Sequence, residues 1–172
     1  EAKGEVLFGA DAMDWAAEQG CRIYGRIIPS RIPGVRQMEL HEPVGPVAAF
    51  VAWNFPCLNM MRKITGALGA GCSILIKPSE ETPGTAVPLV RVMIEAGIPG
   101  DVINLVFGEP SEVSTHVLAS PIPKKVTFTG STEIGKHLQR LSADTLKRCT
   151  MELGGHAPVL VFDDADLTLT VK

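Results

Sequence analysis

Four segments of the chain hold the residue types that chemistry needs. Trp53-Asn54-Phe55-Pro56 follows a buried apolar run and precedes a helical one. It therefore falls at the carboxyl end of a strand, where open α/β sheets bind ligands. Asn54 offers an amide N–H₂ that could stabilise an oxyanion. The same tetrapeptide also reads as a turn, with Asn54 capping the helix. Lys77-Pro78-Ser79-Glu80 comes directly after a strand ending at Ile76. A lysine there donates to ribose hydroxyls and a glutamate accepts from them; a solvated loop with two ordinary charges is the other reading. Phe128-Thr129-Gly130-Ser131-Thr132-Glu133-Ile134-Gly135 is strand, glycine turn and helix start. Free N–H groups and the helix dipole make such a place an anion site suited to a pyrophosphate. Ser131 either caps that helix or binds phosphate. Met151-Glu152-Leu153-Gly154-Gly155 sets a carboxylate between apolar residues, ahead of two glycines. That makes Glu152 a candidate general base whose apolar neighbours would hold back its ionisation. The competing reading is an edge-strand glutamate facing water. The paired glycines weigh against it, because they let a backbone approach a ligand closely.

Other signatures are missing. No G-x-G-x-x-G follows any strand, so a standard Rossmann fingerprint is not supported. The four cysteines (Cys21, Cys57, Cys72, Cys149) show no C-x-x-C and no paired Cys/His spacing. This favours reduced thiols in a cytoplasmic protein over a disulfide scaffold, and predicts no metal site.

The elements that must position these segments follow from periodicity. Val6, Leu7, Ala10, Met13 and Ala17 form a helical stripe over 5–19. From Cys21 to Glu42, apolar residues broken by Pro29, Pro33 and Gly34 predict an extended arm of two strands joined by a turn. From residue 47 a β-α alternation begins. Strands are expected at 47–51, 73–76, 102–107 and 125–128, with helices at 57–70, 84–96, 111–119 and 131–142. Short, wholly apolar strands in that alternation argue for a parallel sheet covered on both faces, a doubly wound α/β domain. Beyond it, 149–153 and 158–162 read as strands. Asp163-Asp164-Ala165-Asp166 then opens a helix with acidic residues where the dipole favours them.

Composition agrees with an ordinary globular chain of 172 residues, 45% apolar and 20% charged. The net charge of -3, with no basic run, leaves no electrostatic footprint for nucleic acid. No apolar stretch approaches a membrane span, and the first residues lack the pattern of a signal peptide.

Taken in order, Trp-Asn-Phe-Pro, Lys-Pro-Ser-Glu, Phe-Thr-Gly-Ser-Thr-Glu-Ile-Gly and Glu-Leu-Gly-Gly resemble the NAD(P)-dependent aldehyde dehydrogenase superfamily over essentially the whole chain. The resemblance implies a role for each matching residue. Asn54 is the side-chain donor of the oxyanion hole, and Lys63 lies near the active site. Lys77 and Glu80 hold the adenine ribose, with Trp53 and Ser79 among the cofactor contacts. Gly108 lies where the adenine is covered. Gly130 and Ser131 form the pyrophosphate loop, Ile134 lies beside the cofactor, and Leu153 lies near the nicotinamide. Glu152 is the general base. The implied domains are a cofactor-binding domain from 1–24 and 44–154, part of an oligomerisation arm over 25–43, and the beginning of a second, catalytic α/β domain over 155–172. A homo-oligomer, dimer or tetramer, is implied for the full-length protein.

The implied reaction starts with a cysteine thiolate attacking an aldehyde. Asn54 helps hold the oxyanion, hydride leaves for the nicotinamide, and Glu152 activates water to hydrolyse the thioester. A base at Glu152 points to a carboxylic acid product, since relatives that acylate coenzyme A typically lack it. The chain departs from the pattern at the nucleophile. The family's cysteine lies some tens of residues past the Glu-Leu-Gly-Gly segment, beyond Lys172. Cys149 falls in the strand before the base. Cys57 begins a helix whose dipole could lower its pKa, but buried apolar packing is the role expected of it. These 172 residues alone are therefore not expected to oxidise aldehydes, and a longer dehydrogenase is the expected context. A cofactor-binding module without chemistry and an oligomerising subunit built on the arm are the competing readings.

Substrate and cofactor choice rest on Arg62, Glu80 and two segments of the arm. Arg62 stands where the succinate-semialdehyde branch is expected to face its substrate carboxylate, and arginine pairs bidentately with carboxylates. A surface arginine snorkelling on a helix is the alternative. Tyr24-Gly25-Arg26 and Arg36-Gln37 resemble the same branch. Succinate semialdehyde or a related semialdehyde is thus the expected substrate, with a broad-range aldehyde dehydrogenase second. Glu80 should accept from a ribose 2′-hydroxyl and repel a 2′-phosphate, which leans towards NAD over NADP.

Overall fold

The computed structural model describes residues 1–171. Helix α1 (Ala2–Gly20) leads into a two-stranded antiparallel arm, β1 (Arg26–Ile28) and β2 (Gln37–Glu39). The arm pairs Arg26 with Glu39 both in register and as an ion pair. A regular alternation follows: β3 (Val47–Phe50), α2 (Pro56–Gly69), β4 (Ile74–Lys77), α3 (Pro83–Glu95), β5 (Ile103–Leu105), α4 (Pro110–Ala119), β6 (Lys125–Thr129), α5 (Thr132–Ala143) and β7 (Arg148–Glu152). Three of the helices open on a proline at the first position, where the missing N–H costs nothing. Helix α5 instead opens on Ser131, whose hydroxyl accepts from the Ile134 amide at 3.3 Å.

Strands β3 to β7 form one parallel sheet in the order β5-β4-β3-β6-β7. The chain winds outward from β3 through β4 to β5, then crosses back to β6 and on to β7. The strand order therefore reverses between β3 and β6, and the carboxyl ends of those two strands flank the crevice where such sheets bind ligands. Phe50 at the end of β3 is level with Lys77 on one side and Phe128 on the other.

Period-two alternation sends the two sides of β3 into two cores. Val47, Ala49 and Val51 pack with Ile64 of α2 and with Val90 and Met93 of α3. Ala48 and Phe50 pack with Leu118 of α4 and Leu138 of α5. Ile64, Ile76, Leu118 and Val126 are fully buried, and each such side chain contributes roughly 1.5–3 kcal/mol through lost apolar exposure. Helix α1 lies on α2. The Glu5 carboxylate accepts from the Cys57 and Leu58 amides at 2.7 and 2.9 Å, so α1 caps the start of α2 from 52 residues away.

Two expectations are corrected. The strands are not all apolar, and the sheet is not covered on both faces throughout. In β6 and β7 the apolar residues Val126, Phe128, Cys149 and Met151 face one way. Lys125, Thr127, Thr129, Arg148, Thr150 and Glu152 face the other and border an open groove beside α2. The strand expected at 158–162 does not form. Those residues are irregular and Val159, Leu160 and Phe162 are exposed. An extended segment becomes a strand only by exchanging backbone hydrogen bonds with a neighbour, and none of the described residues supplies that neighbour. In 155–171 the one regular element is α6 (Leu167–Thr170), capped by Asp166. Lys172, the last residue of the expected catalytic segment, lies outside the described residues.

Candidate active site

The polar side of β6 and β7 and one face of α2 enclose a cavity of about 610 Å³. Asn59, Arg62, Lys63, Gly66 and Ala67 line it from α2, and Ala70 from the cap that ends that helix. Their spacing of 3, 4, 7, 8 and 11 residues from Asn59 is one helical face. Thr127, Thr129 and Thr150 line it from the sheet, with Glu152 at the carboxyl end and Lys125 and Arg148 at the amino end. Lys63 donates to the Thr127 hydroxyl at 3.0 Å. Burial pulls its ammonium down to about 8; the Glu152 carboxylate opposes this and Lys125 adds to it. Glu152 itself is exposed on the edge strand, so the apolar enclosure expected of it is absent. Its place opposite Lys63 in the groove is set by strand parity.

Asn54 lies in the exposed turn between β3 and α2. Its side-chain oxygen accepts from the Asn59 amide at 3.4 Å, and it is not a helix cap: the cap position of α2 is Phe55. Arg62 is exposed, yet it projects into the groove.

A second cavity, about 580 Å³, occupies the crevice between the carboxyl ends of β3 and β6. Trp53, Lys77, Ser79, Glu80, Gly130, Ser131 and Ile134 all border it. These residues come from three separate segments and meet because the strand order reverses there. Lys77 is buried and donates to Glu80 at 2.6 Å, which holds the Glu80 carboxyl below its ordinary range. The pair presents one donor and one acceptor to a ligand. Gly130 packs against its neighbour's ring, since a Cβ there would lie 2.4 Å from Cζ of Phe128. Its N–H donates to the Glu152 carbonyl at 3.1 Å, tying the anion loop to the strand of the candidate base. A dinucleotide fits these residues by chemistry. The ion pair suits ribose hydroxyls, and the N-terminus of α5 with Ser131 suits phosphate. Thr129 borders both cavities, so they meet at the end of β6.

Gly108 has a φ of +147°, a conformation that favours glycine. It adjoins the cavity through Glu109 and Pro110 without lining it. Leu153 packs over Gly135, where a Cβ would lie 2.5 Å from Cδ2 of Leu153. Sequence reasoning missed Asn59, Thr127, Thr129, Lys125 and Arg148 in the groove, and Glu109, Ser111, Ser114 and His137 in the crevice. The alternation Lys125-Val126-Thr127-Phe128-Thr129 carried the signal for the first group. Nothing local marks the second, which assembles only when α4 and α5 pack side by side.

The cysteines are all unpaired. Cys57 is packed in the core, as expected of it, and the helix dipole does not lower its pKa. Burial raises it and the Glu5 carboxylate raises it further, and its Sγ packs 3.5 Å from Sδ of Met61. Among the described residues, no three His, Cys, Asp or Glu side chains are grouped to hold a metal ion, and no helix is long and apolar enough to cross a membrane.

Comparison with known proteins places this geometry. The chain is 51% identical to a 4-(hydroxymethyl)benzenesulfonate dehydrogenase of Comamonas testosteroni. It is 43% identical to an NADP(+) succinate-semialdehyde dehydrogenase of Escherichia coli. Both matches cover all of this chain and 36% of the relative. The structure superimposes on a succinate-semialdehyde dehydrogenase from Burkholderia pseudomallei with a TM-score of 0.90 at 43% identity, over 99% of this chain and 36% of that one. The chain thus spans about a third of the length of the relatives it matches. The aldehyde dehydrogenase family matches residues 1–172, and the chain belongs to that family.

Proposed function

We propose that these residues form the cofactor-binding part of a dehydrogenase that oxidises an aldehyde to a carboxylic acid with NAD⁺ or NADP⁺. The observation that carries the reading is the junction of two cavities at Thr129. One is built for a dinucleotide and the other holds a candidate base and a cationic wall. When bound, the nicotinamide accepts the hydride. The chain's own residues do the rest. Lys77 and Glu80 orient a ribose, and Gly130, Ser131 and the N-terminus of α5 hold the pyrophosphate. Trp53, Ser79 and Ile134 border the cofactor, Gly108 shapes the adenine end, and Leu153 braces the segment that follows Glu152. Asn54 donates to the oxyanion, and Glu152 takes a proton from the attacking water, with Lys63 beside it. The thiolate must come from elsewhere in the active protein, because none of the four cysteines has the exposure and place to serve. A reading frame that continues past the Lys172 codon into a cysteine-bearing segment would supply it. A stop codon there would leave a cofactor-binding module.

The favoured substrate carries an anionic group away from its aldehyde, with succinate semialdehyde or a related semialdehyde first. Arg62, Lys125 and Arg148 border the groove, and the relatives named for a sulfonated compound and for a carboxylate-bearing semialdehyde support the same reading. Glu80 at the ribose favours NAD, whereas the E. coli relative is named for NADP(+). The exposed apolar side chains of the arm, including Tyr24, Ile27, Met38 and Leu40, support an oligomerising role for residues 25–43. The unpaired thiols suit a cytoplasmic setting. A steady-state comparison of succinate semialdehyde with an uncharged aldehyde of equal length tests the substrate reading in the active holoenzyme. Arg62→Met should lower kcat/KM for the charged aldehyde by about 10–100-fold, the value of a charge-assisted pair, and leave the uncharged one nearly unchanged. Equal losses for both would refute the anion role.

A further inference from the structure

We propose that Asn59 is a positioning residue that fixes which end of the Asn54 side chain faces the reacting carbonyl. The proposal rests on the reading of Asn54 as the oxyanion donor. A carboxamide is nearly symmetric in shape and opposite in function at its two ends. The oxygen accepts and the nitrogen donates, and a half-turn about the terminal torsion exchanges them at little steric cost. Only the nitrogen end can stabilise an oxyanion; the oxygen end repels it. Asn54 sits in an exposed turn, so packing does not select the orientation and a polar partner must.

Asn59 is that partner. Its Nδ2 donates to Oδ1 of Asn54 at 3.4 Å, which occupies the accepting end and leaves the Asn54 N–H₂ to turn outward. The contact is long, as catalytic hydrogen bonds often are before substrate draws them in. Asn59 is itself held, because its backbone amide donates to the Phe55 carbonyl at 2.9 Å in the first turn of α2. It is partly buried and lines the groove on the same helical face as Arg62 and Lys63. The residue that sets the amide is therefore part of the wall that surrounds the substrate, and a substrate that shifts α2 also shifts the oxyanion donor.

Two substitutions separate orientation from bulk. Asn59→Asp keeps the size but cannot donate, and its carboxylate accepts from the Asn54 N–H₂ and pulls the donor away from the carbonyl. Asn59→Leu deletes the contact without competing for that N–H₂. In the holoenzyme, Asn59→Asp should lower kcat about 100-fold, in the range for loss of an oxyanion donor. Asn59→Leu should lower it less, and the KM for the dinucleotide should hold in both. A packing role predicts the reverse order, so an isosteric Asp that works as well as Leu or better overturns the proposal. The contact is also read without turnover. In the ¹⁵N-labelled chain, Asn54→Ala should shift the side-chain N–H₂ signals of Asn59, and unmoved signals overturn the proposal. If that shift appears but Asn54→Ala leaves kcat intact in the holoenzyme, it is the oxyanion reading of Asn54 that fails.

Discussion

Replacing Lys63 with methionine removes an ammonium that the fold holds largely out of water, and the consequence for stability can be worked through. The folded-state pKa is about 8 against an ordinary 10.5. Burial is the main cause; Lys125 lowers the value further and Glu152 raises it, and Arg62 and Arg148 border the same groove. Below pH 8 the amine is charged in both folded and unfolded states, and holding that charge costs the native state about 3 kcal/mol. Between about pH 8 and 10.5 the native state has released the proton while the unfolded chain still binds it. Native stability from this group therefore rises with pH through that window, opposite in sign to a lysine that gains a salt bridge. Lys63→Met abolishes the cost but also the 3.0 Å bond to Thr127, a loss of about 1 kcal/mol. The variant should be more stable than the parent by about 2 kcal/mol at pH 6–7, and the advantage should vanish near pH 10. Urea unfolding of both proteins at pH 6, 7.5, 9 and 10 measures the difference, and the other titrating groups cancel in it. A difference that stays flat across this range would refute the account of Lys63.

Two further substitutions test how the site is held. Gly130→Ala places a Cβ 2.4 Å from the Phe128 ring. It should cost about 1–3 kcal/mol in thermal unfolding and weaken dinucleotide binding as the loop shifts; an unaltered Tm would show that the ring yields freely. Glu5→Ala removes the acceptor shared by the Cys57 and Leu58 amides. It should lower stability by about 1–2 kcal/mol in urea unfolding, with Glu5→Gln recovering part of the loss because its amide oxygen still accepts. Identical losses for the two would assign the effect to charge alone.

The order of elements from β3 to β7 was legible because proline and glycine punctuate it. Pro56, Pro83 and Pro110 each open a helix, and apolar runs mark β3 and β4. The crevice was legible for the same reason, since each of its motifs follows a strand. The groove was harder to read. It depends on the parity of β6 and β7, where every second residue is polar, and treating all strands as apolar hid the face that carries Thr127, Thr129 and Glu152. The segment 158–162 misled in the opposite direction. Its Pro-Val-Leu-Val-Phe composition suits a strand, but pairing depends on a neighbour that composition does not reveal. The Glu5 cap and the pairing of Asn54 with Asn59 are contacts of side chains across elements or across a helix start. No periodicity encodes them.

The crevice between β3 and β6, beside the groove, is the proposed seat of a dinucleotide. Titrating the ¹⁵N-labelled chain with NAD⁺ tests it most directly. The amides of Lys77, Ser79, Gly130, Ser131 and Ile134 and the Trp53 indole N–H should shift together and saturate, while signals of the β1–β2 arm stay in place. Lys77→Met should weaken that saturation at least tenfold, the value of a hydrogen bond to a charged group. No shifts at millimolar NAD⁺ or NADP⁺, or shifts confined to residues away from the crevice, would contradict the account.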